Sequence, residues 1–96
     1  MERLTGKRTR QSSEGVLEVE KDSVIAAVEG AILRETSHRG GITLEMTSSE
    51  IDGYDSLAHV RIIFRVDREL GTRVDIKETY SAKTIGDLVD IFLSEV

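Results

Sequence analysis

The chain has no cysteine, no proline and no tryptophan, and only two tyrosines and two phenylalanines among its 96 residues. Without cysteine there is no disulfide framework, thiolate nucleophile or cysteine-zinc site, and a reducing cytoplasm is the default compartment. Four aromatics leave little with which to stack nucleobases, and a net charge of −5 repels a phosphate backbone, so nucleic acid is not an expected partner. No apolar run approaches the length of a membrane span, and the basic start from Met1 to Arg10 lacks the apolar core of a secretory signal. Export and membrane insertion are therefore not expected. What is present, 39% hydrophobic and 32% charged residues, is an ordinary globular balance that supports a single modest core.

Residues 1–19 carry Arg3, Lys7, Arg8 and Arg10 with few apolar residues before Val16, and read as a flexible basic arm ahead of a domain over residues 20–96. Asp22-Ser23 are good helix-capping residues, and Val24, Ile25, Val28, Ala31 and Ile32 then recur at three- and four-residue spacing. This predicts an amphipathic helix ending near Thr36, where Ser37-His38-Arg39-Gly40-Gly41 is polar and glycine-rich. A long connection follows, in which Ile42, Leu44 and Met46 alternate with polar residues; it reads as extended loop, with a short strand as the alternative. Asp55 can cap a second helix whose apolar face is Leu57, Val60, Ile63, Phe64 and Leu70, with Gly71 as its stop. Thr84 and Asp87 have capping-box spacing ahead of a last helix that turns Ile85, Leu88, Val89 and Phe92 inward. The fold class is therefore all-α, a small bundle with no proline to interrupt its helices.

One segment joins local structure to chemistry. Gly53-Tyr54-Asp55-Ser56-Leu57 lies where the long loop meets the second helix, so that Ser56 projects from the first turn. Unpaired backbone N–H groups and the positive end of the helix dipole favour a phosphate there, each such interaction contributing about 0.3–1 kcal/mol. Taken alone, Asp55 and Ser56 are better explained as helix-capping residues, which is what an Asp-Ser pair at a helix start most often means.

Gly-Tyr-Asp-Ser-Leu resembles the attachment motif of the acyl carrier protein family, and the likeness runs from Asp22 to the C-terminus. The first amphipathic helix, the long loop, the helix opening at the serine, Glu69-Leu70-Gly71 at its end and the closing helix from Ile85 to Phe92 follow in family order. The resemblance implies a four-helix carrier bundle with a long first loop and a short third helix within Ile76–Ala82. It further implies that Ser56 carries 4'-phosphopantetheine, transferred from coenzyme A by a separate phosphopantetheinyl transferase, with Gly53, Asp55 and Leu57 as flanking motif residues. The arm would hold acyl, ketide or aminoacyl units as thioesters, and the protein, a monomer, would catalyse nothing itself. Its partners would be acyl-transferring, ketosynthase or adenylating enzymes that read the helix after Ser56. The tyrosine after the glycine is similar to carriers of dissociated polyketide systems.

The sequence departs from this pattern in ways that carry information. In bacterial fatty-acid carriers the helix after the serine is strongly acidic, whereas here Arg61, Arg65 and Arg68 share one face and Ala58 stands where an acid is common. A basic docking face is a poor match for basic partner patches and implies a dedicated pathway whose enzymes present less basic or acidic surfaces. Ser48 stands where the family has a core phenylalanine, leaving Met46 or Ile51 to fill that place, and Val74-Asp75 replaces the usual Ile-Pro after the second helix. His59 and His38 are expected at the surface, and no metal-ligand spacing is present. A second reading is an interaction module of the same fold that is never modified and docks through Arg61, Arg65 and Arg68. An enzyme is disfavoured, because no nucleophile, base and orienting group can be assembled from these residues.

Overall fold

The computed structural model describes residues 13–96, with side chains from residue 20 onward. The described residues are all-helical, a small bundle of four α-helices: α1 Ser13–Glu35, α2 Ser56–Leu70, α3 Ile76–Thr79 and α4 Ile85–Leu93, with a single 3-10 turn at Ser48–Glu50. No helix among the described residues is long and apolar enough to cross a membrane.

Helix α1 begins at Ser13, well before Asp22-Ser23, which lie exposed within it and cap nothing. Glu14, Leu17, Glu18 and Glu20 are strong helix formers, and without proline nothing stops the helix from continuing upstream of the apolar pattern. Arg3, Lys7, Arg8 and Arg10, the basic residues of the expected arm, lie outside the described residues.

The core is built from one face of each long helix. Val24, Ala27, Val28, Ala31 and Ile32 of α1 meet Ala58, Ile62, Ile63 and Val66 of α2 and Ile85, Leu88, Val89 and Phe92 of α4. Burying a side chain the size of isoleucine or phenylalanine stabilises by about 1.5–3 kcal/mol, and this shared interior is what holds α2 in place. An ion pair clips its exposed side: Arg65 Nη2 and Nε donate to Glu35 Oε2 of α1 at 2.7 and 3.0 Å.

The connection from Thr36 to Asp55 contains no strand. Ile42, Leu44 and Met46 are partly buried against the core, and the carbonyls of Leu44 and Met46 accept from the N–H groups of Gly86 and Ile85 at 2.8 and 2.9 Å. The loop thus satisfies amides at the start of α4 that helical bonding cannot reach. Gly86 permits the approach, since a Cβ there would meet the Leu44 carbonyl oxygen at 3.1 Å. Ile51 is buried and fills the interior beside the loop, while Ser48 and Asp52 are exposed.

After α2 the chain turns on Gly71, which is left-handed with φ 71°, and on the Asp67 carboxylate, whose Oδ1 accepts from the Thr72 hydroxyl at 2.6 Å and the Val74 amide at 3.2 Å. Val74 is buried and Asp75 caps α3 through the Lys77 amide at 3.0 Å. A hydrogen-bonded carboxylate and an aspartate cap therefore organise the turn at Val74-Asp75.

Candidate functional site

Gly53 sets the approach to α2. Its φ of 83° is a conformation that favours glycine, and a Cβ there would stand 2.8 Å from both the backbone nitrogen and the hydroxyl of Ser37. The glycine is needed because the chain passes tightly over the end of α1 before Tyr54 and Asp55. Asp55 is extended and caps α2, its Oδ1 accepting the Ala58 amide at 2.8 Å while its carbonyl accepts the His59 amide at 2.9 Å.

Ser56 is the first residue of this 15-residue helix and is exposed. With the Ala58 and His59 amides satisfied, the Ser56 and Leu57 amides are the donors left without a partner among the described residues at this helix end. An exposed hydroxyl beside two free amides and the positive pole of the helix can accommodate a phosphodiester on Oγ. The carboxylate next to it in the sequence, Asp55, is already engaged in capping.

The flanking residues separate into different roles. Leu57 and Phe64, expected on the apolar face, are instead 59% and 60% exposed. Apolar side chains in α2 wrap more than one face, and α1 covers the one centred on Ile62, Ile63 and Val66. Arg61 and Arg68 are exposed and, with Leu57 and Phe64, fall at the four- and three-residue steps of one helical stripe. Arg65 is only partly exposed and is held by Glu35, so it stands apart from that stripe rather than within a single arginine face.

His59, expected at the surface, is 8% exposed. Its Nδ1 lies 2.7 Å from the Tyr54 hydroxyl and its Nε2 lies 2.7 Å from Thr79 Oγ1, which donates to the Ile76 carbonyl at 2.6 Å. Because the Thr79 proton is committed to Ile76, Thr79 accepts from His59 Nε2–H, and the unprotonated Nδ1 accepts from Tyr54 O–H. A directed chain of hydrogen bonds thus runs from the loop, through α2, into α3. Burial lowers the His59 pKa and favours this neutral ring. Burial also pushes the Tyr54 hydroxyl up to about 12, with the neighbouring Tyr80 adding to the effect. The Tyr80 ring stacks on His59 with centroids 4.8 Å apart. Both His59 nitrogens are engaged with Tyr54 and Thr79, so no nucleophile–base pair forms with Ser56.

The second histidine, His38, is half-buried in the loop, where its Nδ1 accepts the Asp52 amide at 3.3 Å. Beside the His59 chain lies a pocket of about 120 Å³ whose lining includes Tyr54, His59, Thr79 and Tyr80 together with residues leading into α4. Sequence periodicity gave no sign of it, because polar side chains from three separate segments converge there. The proximity of His59 to the serine in the sequence was the one available pointer. No protein-family model, curated protein or solved structure matches the chain.

Proposed function

We propose that this protein is a carrier, holding acyl, polyketide or aminoacyl units as thioesters on a 4'-phosphopantetheine arm at Ser56 and presenting them to enzymes of a dedicated cytoplasmic pathway. The observation that carries this reading is the presentation of Ser56: an exposed hydroxyl on the first turn of α2, beside the Ser56 and Leu57 amides, which have no partner among the described residues. The arm supplies a terminal thiol for the thioester linkage. The chain's own residues do the rest. Gly53 and Asp55 fix where α2 begins, and the Tyr54–His59–Thr79 chain ties that helix start to α3.

The exposed stripe Leu57–Arg61–Phe64–Arg68 starts next to Ser56 and forms the docking face on this reading. Its apolar members offer area to bury, and its two cations steer toward acidic surroundings on a partner, as suits brief visits to several enzymes. The protein supplies no catalytic group of its own, and modification requires a separate transferase. The test is transfer of a fluorescent coenzyme A analogue by a broad-specificity phosphopantetheinyl transferase. Labelling of the wild type and not of Ser56→Ala is expected. An unlabelled wild type would favour the unmodified docking module built on the same stripe.

A further inference from the structure

Ser56 is bracketed by a side-chain contact that attachment of a group to its hydroxyl does not itself require. Tyr54 stands two residues before it and His59 three after, and their contact of 2.7 Å closes a ring across the first turn of α2. The chain leading into that ring is held as well: the Tyr54 amide donates to the carbonyl of the buried Ile51 at 3.1 Å, and Gly53 takes its left-handed φ. The polarity of the contact is set at its far end, because Thr79 commits its own proton to the Ile76 carbonyl and takes the proton of His59 Nε2. Nδ1 is therefore the acceptor, and a second ring proton would leave the Tyr54 O–H with nothing there to donate to. The groups around the ring do not support a charge on it. The loop contributes Tyr54, α3 and its end contribute Thr79 and the stacked Tyr80, and Asp55, one turn earlier on α2, directs its carboxylate at the Ala58 amide. The one charged side chain in the adjoining pocket lining, Lys83, is itself a cation. Burial without a counter-ion disfavours the imidazolium and lowers the His59 pKa.

We infer that Tyr54 and His59 are positioning residues for the modification of Ser56: the neutral ring holds Tyr54, and with it the approach to the serine, and protonation of the ring releases both. The inference rests on the carrier reading. In the transfer, Ser56 Oγ bonds to the phosphorus next to the pantetheine of coenzyme A, adenosine bisphosphate leaves with the electron pair of the broken P–O bond, and the serine proton passes to the transferase. The rate of such a displacement depends on the placement of the attacking oxygen. The exposed stripe from Leu57 to Arg68, the docking face on this reading, lies outside the contact. The protonated protein therefore docks as before and transfers slowly.

The experiment follows transfer from coenzyme A to the full chain by intact mass, with one broad-specificity transferase, between about pH 5.5 and 8. Values of kcat and KM are taken separately for the wild type, Tyr54→Phe and His59→Gln, and wild-type values are divided by those of each variant at the same pH, which cancels the transferase's own titration. Near neutral pH the wild-type kcat should exceed that of Tyr54→Phe by about three- to tenfold, the range expected of one net hydrogen bond. That advantage should vanish as pH falls through the folded-state pKa of His59, below about 6.5. Against His59→Gln, which keeps an acceptor and a donor but does not titrate, the wild-type kcat should fall in acid by a similar factor with KM unchanged. Partial unfolding would instead raise the apparent KM, since it removes competent substrate without altering the step on the enzyme. Tyr54→Phe keeps the ring against the core and decides the case even where His59→Gln does not fold. Equal kcat in the wild type and Tyr54→Phe near neutrality, parallel pH profiles of the two, or an acid loss confined to KM would overturn the positioning role while leaving Ser56 labelled and the carrier reading intact. A wild type that accepts no group at any pH would overturn both.

Discussion

The two sides of α2 are held by different physics. Toward α1 and α4 the helix is held by apolar burial, with Ile62, Ile63 and Val66 inaccessible against Val28, Ile32 and Phe92. Toward α3 it is held by directed polar contacts: Tyr54 to His59 to Thr79, ending on a backbone carbonyl. Helix α3 has four residues, of which only Thr79 is buried. Apolar burial is non-directional and tolerates small displacements, so that side sets global stability. A buried hydrogen-bond chain depends on every member being satisfied, so the other side can loosen locally without unfolding the bundle.

The sharpest way to break this contrast is to attack each side with a truncation. Phe92→Ala should cost about 3–5 kcal/mol through lost burial and a residual cavity, read as a large fall in the denaturant midpoint reported from every helix. Thr79→Val keeps the shape but leaves the buried His59 Nε2–H without an acceptor, at a cost of about 1–3 kcal/mol. Hydrogen exchange should then accelerate in α3 and the start of α4 more than in α1. If exchange instead rises uniformly, the two sides are one cooperative unit and the contrast fails.

Acid should probe the polar side selectively. The folded-state pKa of His59 lies below its unfolded value, so the unfolded chain binds the proton more readily and stability is lost as pH falls below about 6.5. The mechanism is specific: a protonated ring has no lone pair at Nδ1 to accept from Tyr54 O–H. Thermal unfolding followed between pH 7.5 and 5.5 should show this loss in the wild type and a flatter profile in His59→Gln. Parallel profiles would assign the acid sensitivity to other groups. The smallest effect is expected from Arg65→Ala: its ion pair with Glu35 is partly exposed, and such pairs contribute about 1 kcal/mol or less. A loss comparable to that of Phe92→Ala would mean that the clip, and not the core, fixes α2 against α1.

What could be read from the sequence divides along the same line. The Asp55 cap, the Gly71 stop and the Thr84–Asp87 box are local chemistry and stand where the sequence predicts. Val24, Val28, Ala31 and Ile32 and the four inward residues of α4 follow from helical periodicity and are buried as expected. The inward face of α2 was misread at Leu57 and Phe64, because the helix carries apolar residues on several faces and only the position of α1 decides which are covered. The burial of His59 was illegible, since it depends on Thr79, distant in sequence and supplied by a helix too short to leave a periodic signal. The Arg65–Glu35 pair was hidden because its partners lie far apart in the sequence, and it divides three arginines that spacing alone places together. Ser56 and Gly53 were legible as a motif, while the need for glycine emerged only with Ser37 packed against it.

The most direct measurement is the intact mass of the wild type after incubation with coenzyme A, magnesium and a phosphopantetheinyl transferase, with peptide mapping and Ser56→Ala in parallel. The account predicts the addition of one phosphopantetheinyl group on the peptide containing Ser56 and none on the variant. An unchanged mass with several transferases, or an addition that persists in Ser56→Ala, would contradict it.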